Sequence, residues 1–231
     1  MNSTKILTEE VQKARFELAR IGRLLFQRQL TDAAGGNISV RVGDLVVMSP
    51  TLAGQMQQWQ IEAEDVLVLD MDRNILVGEG NVSRESNVHF GLHQTFGEYG
   101  TAVMHAHPHD LMVFAALARP MPVALEANLK FGEIPVVDYA PAHSPRLAEN
   151  VVGRMRGQED RIKKHAFGII APWHGVFVMG KHLDAAFDAV ERFNTNAHCL
   201  LMAHASGLSN DMLAPQREAL ETAAANFGKK L

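Results

Sequence analysis

The chain reads as an α/β protein: a central mixed or antiparallel sheet covered by helices. Three observations predict this. Apolar residues recur at three-and-four spacing in long stretches near both ends. Between them lie short apolar runs of strand length, separated by Gly, Asp and Asn. The strands cluster between helices without the strict alternation that a parallel sheet requires. At 231 residues and 47% hydrophobic content, a single domain spanning 1–231 is expected.

The elements follow in order. Thr8 is placed to cap a first helix, with Val11, Ala14, Leu18, Ile21 and Leu25 on its buried stripe. Ile38, Val40 and Val42 alternate with Asn37, Ser39 and Arg41, a strand pattern. Gly43-Asp44 turns it into Leu45–Met48, predicting a hairpin. Ser49 to Gly54 is a loop by composition, and Val66–Leu69 and Ile75–Val77 are strands around an Asp72-Arg73-Asn74 turn. A helical pattern covers Arg84 to Tyr99, and Ala102-Val103-Met104 ends a buried strand. Leu111 to Ala118 is a short helix stopped by Arg119-Pro120. Ile134 to Val137 reads as a strand, and Ser144-Pro145 opens a helix with Leu147, Val151 and Met155 inward. Phe167–Ile170 and Val176–Met179 are strands. Leu183 to His204 is a long helix burying Phe187, Val190, Phe193, Ala197 and Leu201, and a polar helix is expected from Pro215 to Phe227.

A net charge of -4 argues against a nucleic-acid partner, which calls for a basic face. The single cysteine, Cys199, cannot close an intrachain disulfide, and a reducing compartment fits. The N-terminus lacks the apolar core of a signal peptide, and no apolar run has the length of a membrane span. The expectation is a cytoplasmic protein that does not enter a membrane.

The residues richest in chemistry follow Met104. His105 and His107 alternate along a strand and so share a face, as two ligands of one metal must. A catalytic zinc takes three protein ligands and keeps one position open. His174, beside Gly175 at another strand end, could be the third, and Glu85 could serve as acid/base. A rival set exists: Glu85, His89 and His93 fall at i, i+4 and i+8 of one helix and could bind a metal themselves, although such a face is more often partly buried with its histidines held by hydrogen bonds. Three small-residue segments could hold an anion: Gly35-Gly36-Asn37, Thr51 to Gly54, and Ser83-Arg84. Glycine permits close backbone approach, successive amides form a nest, and Asn37, Thr51, Ser83 and Arg84 add donors or charge. Composition alone favours reading each as only a turn. The glycine fingerprints of nucleotide sites are missing.

Five motifs stand in a shared order: Gly35-Gly36-Asn37-Ile38-Ser39, Ser49-Pro50-Thr51, Ser83-Arg84-Glu85, His105-Ala106-His107 and His174-Gly175. In these, from about Leu7 to His204, the chain resembles the class II aldolase/adducin family. The resemblance implies a three-layer α/β/α sandwich around a mostly antiparallel sheet. It implies one divalent metal per subunit, zinc first and Mn, Co or Fe as alternatives, on His105, His107 and His174. It places the catalytic acid/base on Glu85 and phosphate on Gly36, Asn37, Thr51, Gly54, Ser83 and Arg84, in a homotetramer. Three departures stand out. Leu52-Ala53 separate Thr51 from Gly54, Glu126 stands where the family's aldolases carry a tyrosine, and Arg84 replaces a serine.

The implied activity is cleavage of a ketose 1-phosphate, of the fuculose-, deoxyribulose- or methylthioribulose-phosphate type, to dihydroxyacetone phosphate and an aldehyde. A sugar-phosphate 4-epimerase, or a decarboxylase or dehydratase, would use the same apparatus. A noncatalytic adducin-like scaffold would not need the three imidazoles or Glu85.

Overall fold

A computed structural model describes residues 6–207 and four positions beyond them, Glu218, Ala219, Thr222 and Ala225. The helix expected from Pro215 to Phe227 lies outside the described residues apart from those four positions, all helical.

The chain opens with α1 (Glu9–Gln27), whose first turn is capped by Thr8 Oγ1 accepting from the Val11 amide at 3.3 Å. Strands β1 (Asn37–Val42) and β2 (Leu45–Met48) form the expected hairpin, with Val42 opposite Leu45. A one-turn helix, α2 (Ala53–Gln57), then interrupts what composition reads as loop. Leu52 enters it at φ 62°, a left-handed conformation that periodicity does not reveal. Strands β3 (Leu67–Asp70) and β4 (Ile75–Val77) and helix α3 (Ser86–Phe96) follow. Next come β5 (Ala102–Ala106), α4 (Leu111–Ala116), α5 (Pro145–Met155) and α6 (Glu159–Lys164). The hairpin β6 (Ala166–Ala171) and β7 (Gly175–Gly180) leads to α7 (Leu183–Ala205). Short α6 went unpredicted because one turn with one buried residue, Ile162, carries no periodic signal.

The seven strands lie in the order β4-β3-β2-β1-β5-β7-β6, and every neighbouring pair is antiparallel. This is the mostly antiparallel sheet that was expected. One expected strand is corrected. Ile134 to Val137 makes only isolated bridges, Met121 with Ile134 and Val136 with Ile170, the second of them parallel. Pro135 lies inside that run and has no N–H to donate to a ladder.

Alternation along each strand feeds two apolar layers. Ile38, Met104, Val176 and Val178 pack under Leu18, Ile21 and Leu25 of α1 and Val190 and Phe193 of α7. Val103, Ile169, Phe177 and Met179 pack against Val88 and Leu92 of α3 and Leu147 and Val151 of α5. Each such large side chain, once buried, contributes about 1.5–3 kcal/mol. On α7 the inward stripe also carries Asn196, which holds the 122–125 segment through the Ala124 amide and the Pro122 carbonyl, both at 2.9 Å. Phe187 and Leu201, expected inward, are half-buried. Among the described residues, no helix is long and apolar enough to cross a membrane.

Candidate active site

The site forms where β1, β5 and the β6–β7 hairpin meet. Asn37 and His105 are register partners at the paired ends of β1 and β5. His105 points to the α3 side with Val103, stacked on Phe177 with ring centroids 4.4 Å apart. His107 lies just past the strand end, and His174 sits in the Pro172-Trp173-His174 turn of the β6–β7 hairpin. Centroids of His105 and His174 lie 4.6 Å apart, those of His105 and His107 4.9 Å.

Two glycines make this closeness possible. A Cβ on Gly35 would stand 2.0 Å from His107 Cε1, and one on Gly175 would stand 2.7 Å from the Ala106 carbonyl and 2.9 Å from His105 Cε1. Only a bare backbone lets the first loop and the second hairpin close onto the imidazoles.

Hydrogen bonds set the imidazole tautomers. His105 Nδ1 donates to the Val176 carbonyl at 3.1 Å, and His107 Nδ1 donates to Asp32 Oδ2 at 3.3 Å. In the neutral imidazoles that ligate a metal, these bonds leave each Nε2 as a lone pair, and the two Nε2 atoms face one another at 3.1 Å. Two lone pairs cannot satisfy each other. His174 Nδ1 is also buried without a partner. One nitrogen from each ring lies within 4.8 Å of the others. This donor set fits a borderline divalent cation, and the carbonyl and carboxylate behind the rings are the partners such ligands use. Burial, reinforced by His107, holds His174 down at about 4. Burial also keeps His105 well below the ordinary histidine range, again with help from His107 and His174. Both rings are therefore neutral and free to ligate at neutral pH.

The rival trio is not assembled. Glu85 precedes α3 and turns into the cleft, while His89 and His93 are fully buried beneath β1. Ser39 Oγ lies between them, 2.6 Å from His89 Nδ1 and 2.7 Å from His93 Nε2. His89 Nε2 meets Asn37 Oδ1 at 2.5 Å. They are core histidines held by hydrogen bonds to Ser39 and Asn37; the metal-capable group of three among the described residues is His105, His107 and His174.

All ten residues predicted from the sequence line one cleft: Glu85, the three histidines, Gly36, Asn37, Thr51, Gly54, Ser83 and Arg84. The cleft has a cavity volume of about 70 Å³ and opens to solvent. Glu85 is 3% exposed. Its Oε1 lies 2.7 Å from His143 Nδ1 and 3.4 Å from His174 Nε2, and both carboxylate oxygens are buried without a well-aligned hydrogen bond, Oε2 with no ion-pair contact either. Burial pushes the carboxyl up, against the opposing pull of His143 and Arg84.

The anion loops are only partly free. The Thr51 amide is spent on the Asn81 carbonyl at 3.0 Å, and those of Ala34 and Gly35 on Asp32 Oδ1 at 2.9 and 2.8 Å. The Ser83 hydroxyl oxygen accepts from the Glu85 amide at 3.2 Å, leaving its own proton for the cleft. First-turn amides of α2, Ala53 and Gly54 among them, have no helical carbonyl within reach.

Sequence reasoning missed two residues. Asp32 orders both the glycine loop and His107; its signal was an Asp followed by small residues, an Asx-turn pattern. His143 reaches Glu85 from a left-handed backbone, φ 68°, and no local pattern marks it. Glu126 is exposed, begins a short 3-10 turn and does not line the cleft.

The model of the Class II Aldolase and Adducin N-terminal domain matches residues 16–201. The chain belongs to the class II aldolase/adducin family. An L-fuculose phosphate aldolase of Methanococcus maripaludis is 32% identical over 176 residues, 76% of this chain and 89% of its own. A 3-oxo-tetronate 4-phosphate decarboxylase of Haemophilus influenzae is 28% identical over 78% of this chain and 83% of its own. The solved structure of an L-fuculose 1-phosphate aldolase superposes with a TM-score of 0.77 at 26% identity, covering 96% of this chain and 97% of that one.

Proposed function

We propose that this chain is a metal-dependent sugar-phosphate aldolase that cleaves a ketose 1-phosphate to dihydroxyacetone phosphate and an aldehyde. The observation that carries this reading is the convergence of three imidazoles on one side of a glycine-lined cleft, facing the buried carboxylate of Glu85. His105, His107 and His174 would hold one divalent ion, zinc first and Mn, Co or Fe next, which would supply Lewis-acid stabilisation of the negative charge that bond cleavage leaves behind.

The chain's own residues do the rest. The side chains of Asn37, Thr51, Ser83 and Arg84, with the backbone around Gly36 and Gly54, hold the phosphate and so fix the carbon skeleton across the cleft. Glu85 Oε2, without a protein partner, takes the proton from the hydroxyl that becomes the aldehyde and returns it to the carbon that keeps the electron pair. Such transfer is worth roughly two to four orders of magnitude in rate. Asp32 and the Val176 carbonyl keep the imidazole tautomers in place.

A decarboxylase is the second reading, favoured by the Haemophilus relative and by the exposed Arg84 at the cleft rim, suited to a substrate carboxylate. Loss of CO2 leaves the same charge on the same side. The expected setting is a cytoplasmic homotetramer acting on a small-molecule sugar phosphate, with no nucleic-acid or membrane partner. Incubation of zinc-loaded protein with ketose 1-phosphates and sugar-acid phosphates, with products identified by mass, tests it. Dihydroxyacetone phosphate with an aldehyde supports the first reading, CO2 release the second. No product from any substrate, on metal-loaded protein, would leave the scaffold.

A further inference from the structure

We propose that Ser39, His89 and His93 are positioning residues: a buried hydrogen-bond chain that turns the Asn37 side chain so that its amide N–H groups face the cleft. The proposal rests on the reading of that cleft as an anion site. The chain runs His93 Nε2, Ser39 Oγ, His89 Nδ1 across the ring to Nε2, then Asn37 Oδ1, at 2.7, 2.6 and 2.5 Å. Ser39, His89 and His93 are wholly buried, and none of them lines the cleft.

A serine hydroxyl has one proton and stands between two ring nitrogens, so it donates to one and accepts from the other. Only two directions close the chain. In the first, His93 Nε2–H donates to Ser39, Ser39 donates to His89 Nδ1, and His89 Nε2–H donates to the Asn37 oxygen. The Asn37 nitrogen is then left for the cleft, and it has no other partner among the described residues. In the second, every proton is reversed. The Asn37 amide flips, its oxygen faces the cleft, and His93 Nδ1 must carry a hydrogen.

Two facts select the first direction. His93 Nδ1 is buried without a partner, so the second direction strands an N–H donor there, and stranded buried donors are the rarer and costlier defect. The second direction would also aim a carbonyl oxygen at whatever anion the cleft holds, where repulsion replaces a bond. The two histidines that resembled a metal site on one helix face thus act two steps away, through the register of β1. Asn37 and Ser39 fall on the same face of that strand, Asn37 opposite His105.

The tautomers are read directly by nitrogen NMR of histidine-labelled protein, with His89→Gln and His93→Gln spectra serving only to assign the rings. Both rings are expected as Nε2–H tautomers; an Nδ1–H ring at His89 overturns the proposal without any reference to anions. Calorimetry with inorganic phosphate supplies the second readout, on zinc-loaded protein with metal content and melting temperature recorded. Asn37→Ala is expected to weaken phosphate about tenfold or more, the loss of a bond to a charged group. Ser39→Ala, which touches nothing in the cleft, is expected to weaken it at least about threefold at full metal content. Unchanged phosphate affinity in folded Ser39→Ala overturns the relay alone. Unchanged affinity in Asn37→Ala removes the anion reading, and the proposal falls with it.

Discussion

Replacing Gly35 with alanine tests the proposed metal centre at its tightest point. The backbone there tolerates a side chain, because Gly35 is not among the glycines with positive φ. The obstacle is His107. A Cβ at Gly35 would stand 2.0 Å from Cε1, 2.1 Å from Nδ1 and 2.6 Å from Nε2. Carbon contacts are comfortable only from about 3.5 Å, so the ring must retreat by roughly 1.5 Å. Metal–nitrogen bonds tolerate only about 0.2 Å of error. Retreat also breaks the Asp32 hydrogen bond that sets the His107 tautomer. Disturbing such a partner costs roughly 10- to 100-fold in metal affinity, and moving the ligand itself should cost at least that. The assay is a zinc competition titration against a chromophoric chelator, with a thermal melt to confirm folding. A folded Gly35→Ala protein with the zinc affinity of the parent would refute the reasoning, since His107 could not then be a ligand from its present position.

Glu85→Gln should keep its metal and its phosphate affinity and lose about two orders of magnitude or more in turnover, because glutamine keeps the shape and loses the proton carrier. Metal lost from that variant would make Glu85 a ligand. His89 and His93 are held neutral by burial, His93 down at about 3 and His89 well below the usual 6.5. Unfolding frees them to take protons, so stability is full above about pH 6.5 and falls as the pH drops towards 3, each histidine adding up to about 1.4 kcal/mol per pH unit to the slope. Urea melts from pH 7 to 4.5 on parent and His93→Gln read this, and a parent curve flat with pH would contradict it. Gly153 lies in the exposed interior of α5, and an added Cβ meets nothing within 4 Å. Gly153→Ala should therefore stabilise the fold by about 0.5–1 kcal/mol in the same melts, with activity unchanged.

The sequence by itself determined most of the elements and the chemistry on offer. Thr8 and Ser144-Pro145 marked helix starts because capping is a local interaction, complete within one turn. Alternation in Asn37–Val42 showed which side chains share a face, since a strand has period two. All ten candidate site residues carried a local sign, such as glycine, a hydroxyl or a paired imidazole, and all ten line the cleft.

What the tertiary structure decided were the matters no local pattern encodes. Helix spacing left His89 and His93 open between ligands and buried, hydrogen-bonded histidines, and only the packing of α3 against β1 shows that Ser39 stands between them. Asp32 and His143 reach the site across 75 and 58 residues of chain, from Asp32 to His107 and from Glu85 to His143. Those partnerships exist only after the sheet has ordered its strands. Ile134 to Val137 had the apolar content of a strand, but Pro135 and a place beyond β6 reduce it to single bridges. Local sterics and capping act within a few residues and can be read from them. The direction of a proton, the tautomer of a ring and the fit of a metal depend on groups brought together from distant parts of the chain, and those are properties of the folded molecule.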